Sequence, residues 1–304
     1  MSDVRLSIII VSWNVCDLVA ACLRSLPLED PGVEVIVVDS ASQDGTPERV
    51  AAEFPSVRLI ARADNVGYCR GNNLGFAEAR GEFWFVLNPD TTVEPGALAA
   101  LTEYLEAHPT TACVGPALTY GDGTPQSSRR RFPTLQSAVF DSTWLYQFAP
   151  RGVLERYYGE DWPVGEIVEV DWLVGAALML RAAAVRQVGG FDEGYFMYSE
   201  ELDLCRRLKA AGWGIVHLPA ARVTHFEGRS SAQVRVATHL RFNRSKVRYF
   251  RKHHGALQAG ILHTSMRANF AWQLLIEAGK WLLGHKRPLR AQRVHDYLQV
   301  LREL

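Results

Sequence analysis

The chain has 304 residues, 48% of them hydrophobic, enough for one large α/β core with an extension or for two smaller domains. Lys plus Arg match Asp plus Glu at 33 each, so the overall charge predicts no nucleic-acid partner. Taken in chain order, Leu6–Val11 and Val35–Val38 are short β-branched runs without alternation, as parallel strands buried on both faces require. Between them Leu18, Cys22, Leu23 and Leu26 recur at helical spacing. The rhythm continues with a strand from Val57 to Ala61, a helix from about Asn73 to Ala79, a strand from Phe83 to Leu87, a helix from Pro95 to Ala107 and a strand from Ala112 to Leu118. Pro95 suits the first turn of its helix. Such alternation predicts an α/β sheet with right-handed crossovers. Tyr120 to about Val164, rich in Gly, Pro, Arg and aromatics, predicts an irregular connector. A second regular block follows, with a strand over Leu173–Leu180, a helix over Glu200–Ala211 and two closing runs, Ile215–Leu218 and Arg222–His225. From about Thr238 the chain reads as helices.

Acidic or amide side chains follow each of the first four strands: Asn14, Asp39, Asn65 and Asp90. In a parallel sheet these loops emerge at one edge, where open α/β sheets bind ligands. Asn88-Pro89-Asp90 is the most informative of them. Mg²⁺ commonly shares its oxygen ligands between one or two carboxylates and substrate phosphates, and Asp90 could serve such a pair. The same tripeptide is also an ordinary turn.

Four stretches, Ile10-Val11-Ser12-Trp13-Asn14, Val38-Asp39-Ser40-Ala41-Ser42-Gln43-Asp44-Gly45-Thr46, Asn65-Val66-Gly67 through Gly71-Asn72-Asn73, and Leu87-Asn88-Pro89-Asp90, are joined by a distal block. That block runs Asp171-Trp172-Leu173-Val174-Gly175-Ala176, Gly189–Leu204, and His225 with Gly228, Ser230 and Ser231. As an ordered set over about residues 4 to 250, they resemble family 2 glycosyltransferases, nearest to a bacterial rhamnosyltransferase-like branch. The resemblance implies a GT-A type α/β fold: a mostly parallel, Rossmann-like sheet flanked by helices, with a helical C-terminal extension. Residues 1–237 would form the catalytic domain and 238–304 the extension. It further implies an inverting transferase that moves a sugar, rhamnose from dTDP-rhamnose by branch likeness, to a glycan or lipid-linked glycan acceptor of the cell envelope. Asp39 and Asn72 would hold the base and ribose of the nucleotide-sugar donor, with Ser12, Asn14, Asn65, Asn88 and Trp172 completing the donor site. Asp90 would bind Mg²⁺ or Mn²⁺ on the diphosphate, and His225 would add a ligand or a diphosphate contact, or stand as a structural histidine. Asn88 replaces the first acid of the usual Asp-x-Asp pattern and removes one charge. A nucleotidyltransferase and a non-catalytic sugar-nucleotide-binding or scaffold protein are the rival readings.

The acceptor side needs a general base, and motif position assigns it to Glu201, where relatives often carry Asp. Ser199 is the expected N-cap, and the helix dipole is expected to keep the Glu201 carboxylate ionised. Asp203 is spaced to pair with Arg207. Ser127-Ser128-Arg129-Arg130-Arg131-Phe132-Pro133 suits a phosphate-bearing acceptor or a solvated charge run equally. The five cysteines are scattered without a C-x-x-C pair, which predicts reduced thiols in a cytoplasmic protein. The chain opens on strand-like sequence without a signal-peptide pattern, and no run approaches the roughly 20 apolar residues of a membrane span. The stretch from Arg241 to Arg302 is basic. Within it, Asn269, Gln273, Glu277 and Lys280 form a narrow polar stripe on an otherwise apolar helix, Met266–Leu283. That helix suits either peripheral contact with the inner face of the cell membrane or packing against the catalytic domain or a second subunit in a homodimer.

Overall fold

The computed structural model describes residues 4–226 and 235–304; Gly228, Ser230 and Ser231 of the distal motif lie outside the described residues. The first half winds as Leu6–Ser12 (β1), Cys16–Arg24 (α1), Val33–Ser40 (β2), Thr46–Glu53 (α2), Arg58–Arg62 (β3), Gly67–Glu78 (α3), Phe83–Leu87 (β4), Thr91–Val93 (β5), Ala97–Ala107 (α4) and Thr111–Thr119 (β6). Short strands Pro125–Gln126 (β7) and Arg129–Arg130 (β8) follow, then helices Leu135–Ser142 (α5) and Val153–Tyr158 (α6) around a 3₁₀ turn, Trp144–Phe148. The rest comprises Val168–Glu169 (β9), Trp172–Leu173 (β10), Ala177–Arg181 (β11), Ala182–Val188 (α7), Glu200–Ala210 (α8), Gly214–His225 (β12), Arg235–His254 (α9), Ala256–Leu282 (α10) and Arg287–Glu303 (α11). The fold is of GT-A type.

The chain forms two compact units: residues 1–132, 158–196 and 200–230, and residues 133–157, 197–199 and 231–304. In the first, one sheet runs β3-β2-β1-β4-β11-β6-β12-β5. Strands β3, β2, β1 and β4 are parallel, and β11 enters antiparallel between β4 and β6. The unalternating runs are buried on both faces, as their composition requires: Ile8, Ile9, Ile10, Val37, Phe85 and Leu87 have no exposed surface. The expected single strand over 173–180 is broken at 174–176, and the two closing runs are one strand, β12, whose register shifts between Leu218 and Arg222. Pro95 lies just before Gly96, the N-cap of α4, and not in its first turn.

Helix α3 begins earlier than its apolar periodicity indicates because its inner face is built of glycine. A Cβ on Gly71 would meet Val11 Cγ1 at 2.8 Å, and one on Gly75 would run into Ile9 Cγ2. These absent side chains let the helix lie directly on β1. They also lower the hydrophobic signal that would mark the helix in the sequence.

The second unit is helical. Leu240, Phe270 and Val300 join α9, α10 and α11, while Lys246 reaches Asp141 at 2.6 Å and Asn269 accepts the Trp144 N–H at 2.9 Å. The polar stripe of α10 is turned partly inward. Glu277 is 3% exposed and receives Arg290 of α11 at 2.6 and 2.9 Å. Met266 and Phe270 are buried beside it, and Trp272, Leu275 and Leu282 are exposed.

Gly75→Ala should lower stability by about 1 kcal/mol or more, because steric overpacking against Ile9 outweighs the helix-propensity gain of roughly 1 kcal/mol. Gly260→Ala, where nothing lies within 4 Å, should be neutral or stabilising. Urea denaturation of both variants checks this, and equal responses would contradict it.

Candidate active site

The first two strand ends are locked to each other. Ser12 and Asp39 face each other in register, and Ser12 Oγ donates to Asp39 Oδ1 at 2.9 Å. Ser42 adds two bonds to the same carboxylate, from its hydroxyl at 2.6 Å and its N–H at 2.9 Å. The Asn14 N–H donates to Ser42 Oγ at 2.8 Å, and Asn14 Oδ1 accepts the Gln43 N–H at 2.8 Å. Asn14 and Ala41 take left-handed φ of 52° and 61°. That costs little for Asn and about 1–2 kcal/mol for Ala, so this network holds a loop shape that Ala41 alone would avoid.

Asn65 Oδ1 accepts the Gly67 N–H at 3.0 Å and opens α3, so its described contact is that of a turn former. Asn72 is fully buried; its amide donates to the Tyr68 carbonyl at 2.9 Å, and its Oδ1 has no hydrogen-bond partner. Asn73, to which the sequence assigned no role, clamps the Gly189–Gly194 loop by exchanging bonds with the Phe191 backbone, both at 2.9 Å.

At the end of β4 the chain crosses to β5, which pairs with the far end of β12. Thr91 stands opposite His225, and the Phe226 N–H donates to the Asp90 carbonyl at 2.8 Å. This register brings Asp90 Oδ1 to 3.3 Å from His225 Nε2, with both residues 6% exposed. On the other side of the ring, His225 Nδ1 lies 3.0 Å from Gln126 Oε1. An amide oxygen only accepts, so Nδ1 donates to Gln126, and Nε2 is the ring nitrogen that faces Asp90. Asn88 Nδ2 is 3.5 Å from Nε2, at the limit of hydrogen bonding. Sequence reading missed Gln126. The signal for it was Asp122-Gly123, a hairpin pair that folds β7 back on β6. Among the described residues no group of three or more His, Cys, Asp or Glu could hold a metal.

The base candidate joins this end through Gly175 and Ala176. The Asn88 N–H donates to the Ala176 carbonyl at 2.9 Å, the Tyr68 hydroxyl donates to the Gly175 carbonyl at 3.0 Å, and a Cβ on Gly175 would meet Glu201 at 3.4 Å. Burial raises the Glu201 pKa. The backbone N–H groups of Glu201, Gly175 and Leu202 and the charge of Arg130 pull the other way without overcoming it. The expectation that the helix dipole alone keeps this carboxylate ionised is thus corrected: desolvation is the larger effect. Glu200 is buried beside it and pushed well up, first by burial and then by the Glu201 charge. One oxygen of each, Oε2, is buried without a hydrogen-bond partner. Ser199 has a left-handed φ of 62°, after Tyr198 at 74°, which is not the extended backbone of an N-cap. Asp203 is fully buried and pairs with Arg207 at 2.8 Å, while Arg207 also donates to the Val188 and Gly190 carbonyls. Trp172 is buried in the β8–β10 pair, its indole N–H donating to the Arg131 carbonyl at 2.9 Å, so its described contacts lead to the arginine strand. There Arg130 stacks 4.6 Å from the Tyr158 ring centre, and Arg131, just after β8, pairs with Asp161 at 2.5 Å.

The family model for glycosyl transferase family 2 matches residues 7–162, and that for glycosyl transferase family group 2 matches residues 85–285. The chain is 32% identical over 258 residues to N-acetylglucosaminyl-diphospho-decaprenol L-rhamnosyltransferase of Mycobacterium tuberculosis, covering 81% of this chain and 83% of that one. It is 27% identical over 229 residues to the rhamnosyltransferase WbbL of Escherichia coli, covering 72% and 82%. Among solved structures, a mannosyltransferase of Pyrobaculum calidifontis in complex with GDP-Man and Mn²⁺ superposes with a TM-score of 0.56 at 18% identity, over 98% of this chain and 85% of that one. The chain belongs to glycosyl transferase family 2. It is an inverting glycosyltransferase, which answers the choice left open between a transferase, a nucleotidyltransferase and a non-catalytic binding protein.

The raised carboxyls have a measurable consequence. A carboxyl whose folded pKa lies above its unfolded value stabilises the fold fully below the unfolded value, about 4.3. That contribution is lost as pH rises through the folded value. Stability measured by urea unfolding should therefore fall above pH ~4.3, and Glu200→Gln should flatten the fall; an unchanged slope would contradict the burial of this charge.

Proposed function

We propose that this enzyme transfers L-rhamnose from a nucleotide-diphosphate donor, dTDP-rhamnose, to a hydroxyl of a lipid-linked glycan in cell-envelope assembly. The similarity to two rhamnosyltransferases, one named for an N-acetylglucosaminyl-diphospho-decaprenol acceptor, supports the sugar and the acceptor class. We assign catalysis to residues 1–237 and a helical extension to residues 238–304. The reaction belongs to the cytoplasmic side, at the inner face of the membrane that carries such an acceptor.

The observation that carries the chemistry is the Asp90–His225 pair. A carboxylate oxygen and an imidazole nitrogen held 3.3 Å apart in a buried site are close enough to be neighbouring ligands of one cation. Their donor set, one oxygen and one nitrogen, fits Mg²⁺ or Mn²⁺ with the remaining positions left to phosphate oxygens, and Gln126 fixes the ring as outer partners of metal-binding histidines do. A divalent ion there supplies charge neutralisation for the leaving diphosphate. Asn88 contributes an amide where a second carboxylate would stand, so two protein groups carry the cation.

Glu201 takes the proton of the acceptor hydroxyl as that oxygen attacks the anomeric carbon. The bond to the diphosphate breaks with its electron pair leaving on the diphosphate, and the configuration inverts. A base whose pKa is lifted toward the working pH suits this transfer. Ser12, Asn14, Asp39, Asn65 and Asn72 shape the donor cleft, and the unpartnered Asn72 Oδ1 is a free acceptor for the nucleoside. Asp39 acts through the Ser12–Ser42 network as much as by direct contact. Trp172 bears on the donor through the backbone of Arg131.

Glu201→Gln should lower turnover by about 10²–10⁴-fold with donor affinity unchanged, since only proton transfer is lost. Near-normal turnover would remove Glu201 from the role. Asp90→Asn should abolish the gain in nucleoside diphosphate affinity that Mn²⁺ confers on the native protein; calorimetry showing the same gain in both would contradict the metal assignment.

A further inference from the structure

Helix α10 carries a second apolar face that the helical unit leaves uncovered. Ile261, Ala268, Leu275 and Leu282 recur every seven residues, with Trp272 between, and stay within one stripe of the helix. They are exposed, Leu275 and Leu282 by 67% and 69%, whereas Leu262, Met266 and Phe270 on the other side are buried. The Trp272 ring lies 5.8 Å from that of Trp144, whose 3₁₀ turn also exposes Tyr146 and Phe148. Exposed apolar side chains gathered in this way mark an interaction surface.

Charge selects the occupant. Residues 238–304 hold 13 Lys and Arg against 3 Asp and Glu, a net +10, while the chain as a whole is neutral. Lys280, Lys286 and Arg287 adjoin the exposed end of α10, where Leu283 is 87% exposed. A second copy on this face would set one +10 segment against another, whereas an anionic surface would neutralise it. Among the described residues no helix is long and apolar enough to cross a membrane. We propose that α10, together with the Trp144–Phe148 turn, docks on an anionic lipid bilayer by lying in its headgroup region. Tryptophan and tyrosine favour that depth, and each basic group near the surface adds about 1 kcal/mol. The docking stands independently of the sugar and acceptor proposed above.

Flotation of the full chain with vesicles tests it. The protein should float with vesicles of phosphatidylcholine and phosphatidylglycerol and remain behind with phosphatidylcholine alone. Leu275→Glu with Leu282→Glu should lower partitioning by about 100-fold or more, from two buried leucines lost. Lys280→Gln, Lys286→Gln and Arg287→Gln together should lower it about 5-fold per charge, with the apolar face intact. Equal flotation with both vesicle types, or no response to either set of substitutions, would overturn the proposal. So would a dimer in solution that the leucine substitutions dissociate, which would assign the face to a second copy.

Discussion

The register in which β5 pairs with the end of β12 is the constraint on which the site depends. Asp90, in the turn before β5, and His225, at the end of β12, are 135 positions apart in the chain, and the strands they adjoin are not neighbours in sequence order. Thr91 opposite His225, and the Phe226 N–H on the Asp90 carbonyl, leave the two side chains little choice but to meet. A one-residue slip of β5 along β12 would break this pairing and separate Asp90 from His225. The two-residue strand β7 then closes the arrangement, because Gln126 sets which imidazole nitrogen faces the carboxylate.

The same economy links the start of α8 to the end of β4 and the start of α3. Strand β11 runs antiparallel beside β4, and its approach, Gly175-Ala176, touches three parts of the site: Asn88 through the Ala176 carbonyl, α3 through Tyr68, and Glu201 by packing. Two carboxyls buried side by side at the start of α8 are costly at neutral pH, as expected of a site kept for chemistry rather than for stability.

Much of this was legible in the residues. Unalternating runs such as Phe83–Leu87 could only be strands buried on both faces, and their order predicted a shared edge for Asn14, Asp39, Asn65 and Asp90. What stayed hidden depended on partners remote in sequence. Gln126 sits in a two-residue strand too short to show a period, and α3 hid its start behind glycines selected for contact with β1. Glu277 reads as one member of a polar stripe until Arg290, in the next helix, is seen to draw it inward. Desolvation of Glu201 likewise depends on what covers it, which no linear spacing records.

In the proposed site, Asp90 and His225 would hold one divalent ion in common with the donor diphosphate. Pulsed electron paramagnetic resonance of Mn²⁺ bound to the protein with dTDP reads both contacts at once. Nitrogen coupling from the imidazole, lost in His225→Ala, is expected together with phosphorus coupling from the diphosphate. Phosphorus coupling with no nitrogen coupling in the native protein, or nitrogen coupling that survives His225→Ala, would contradict it.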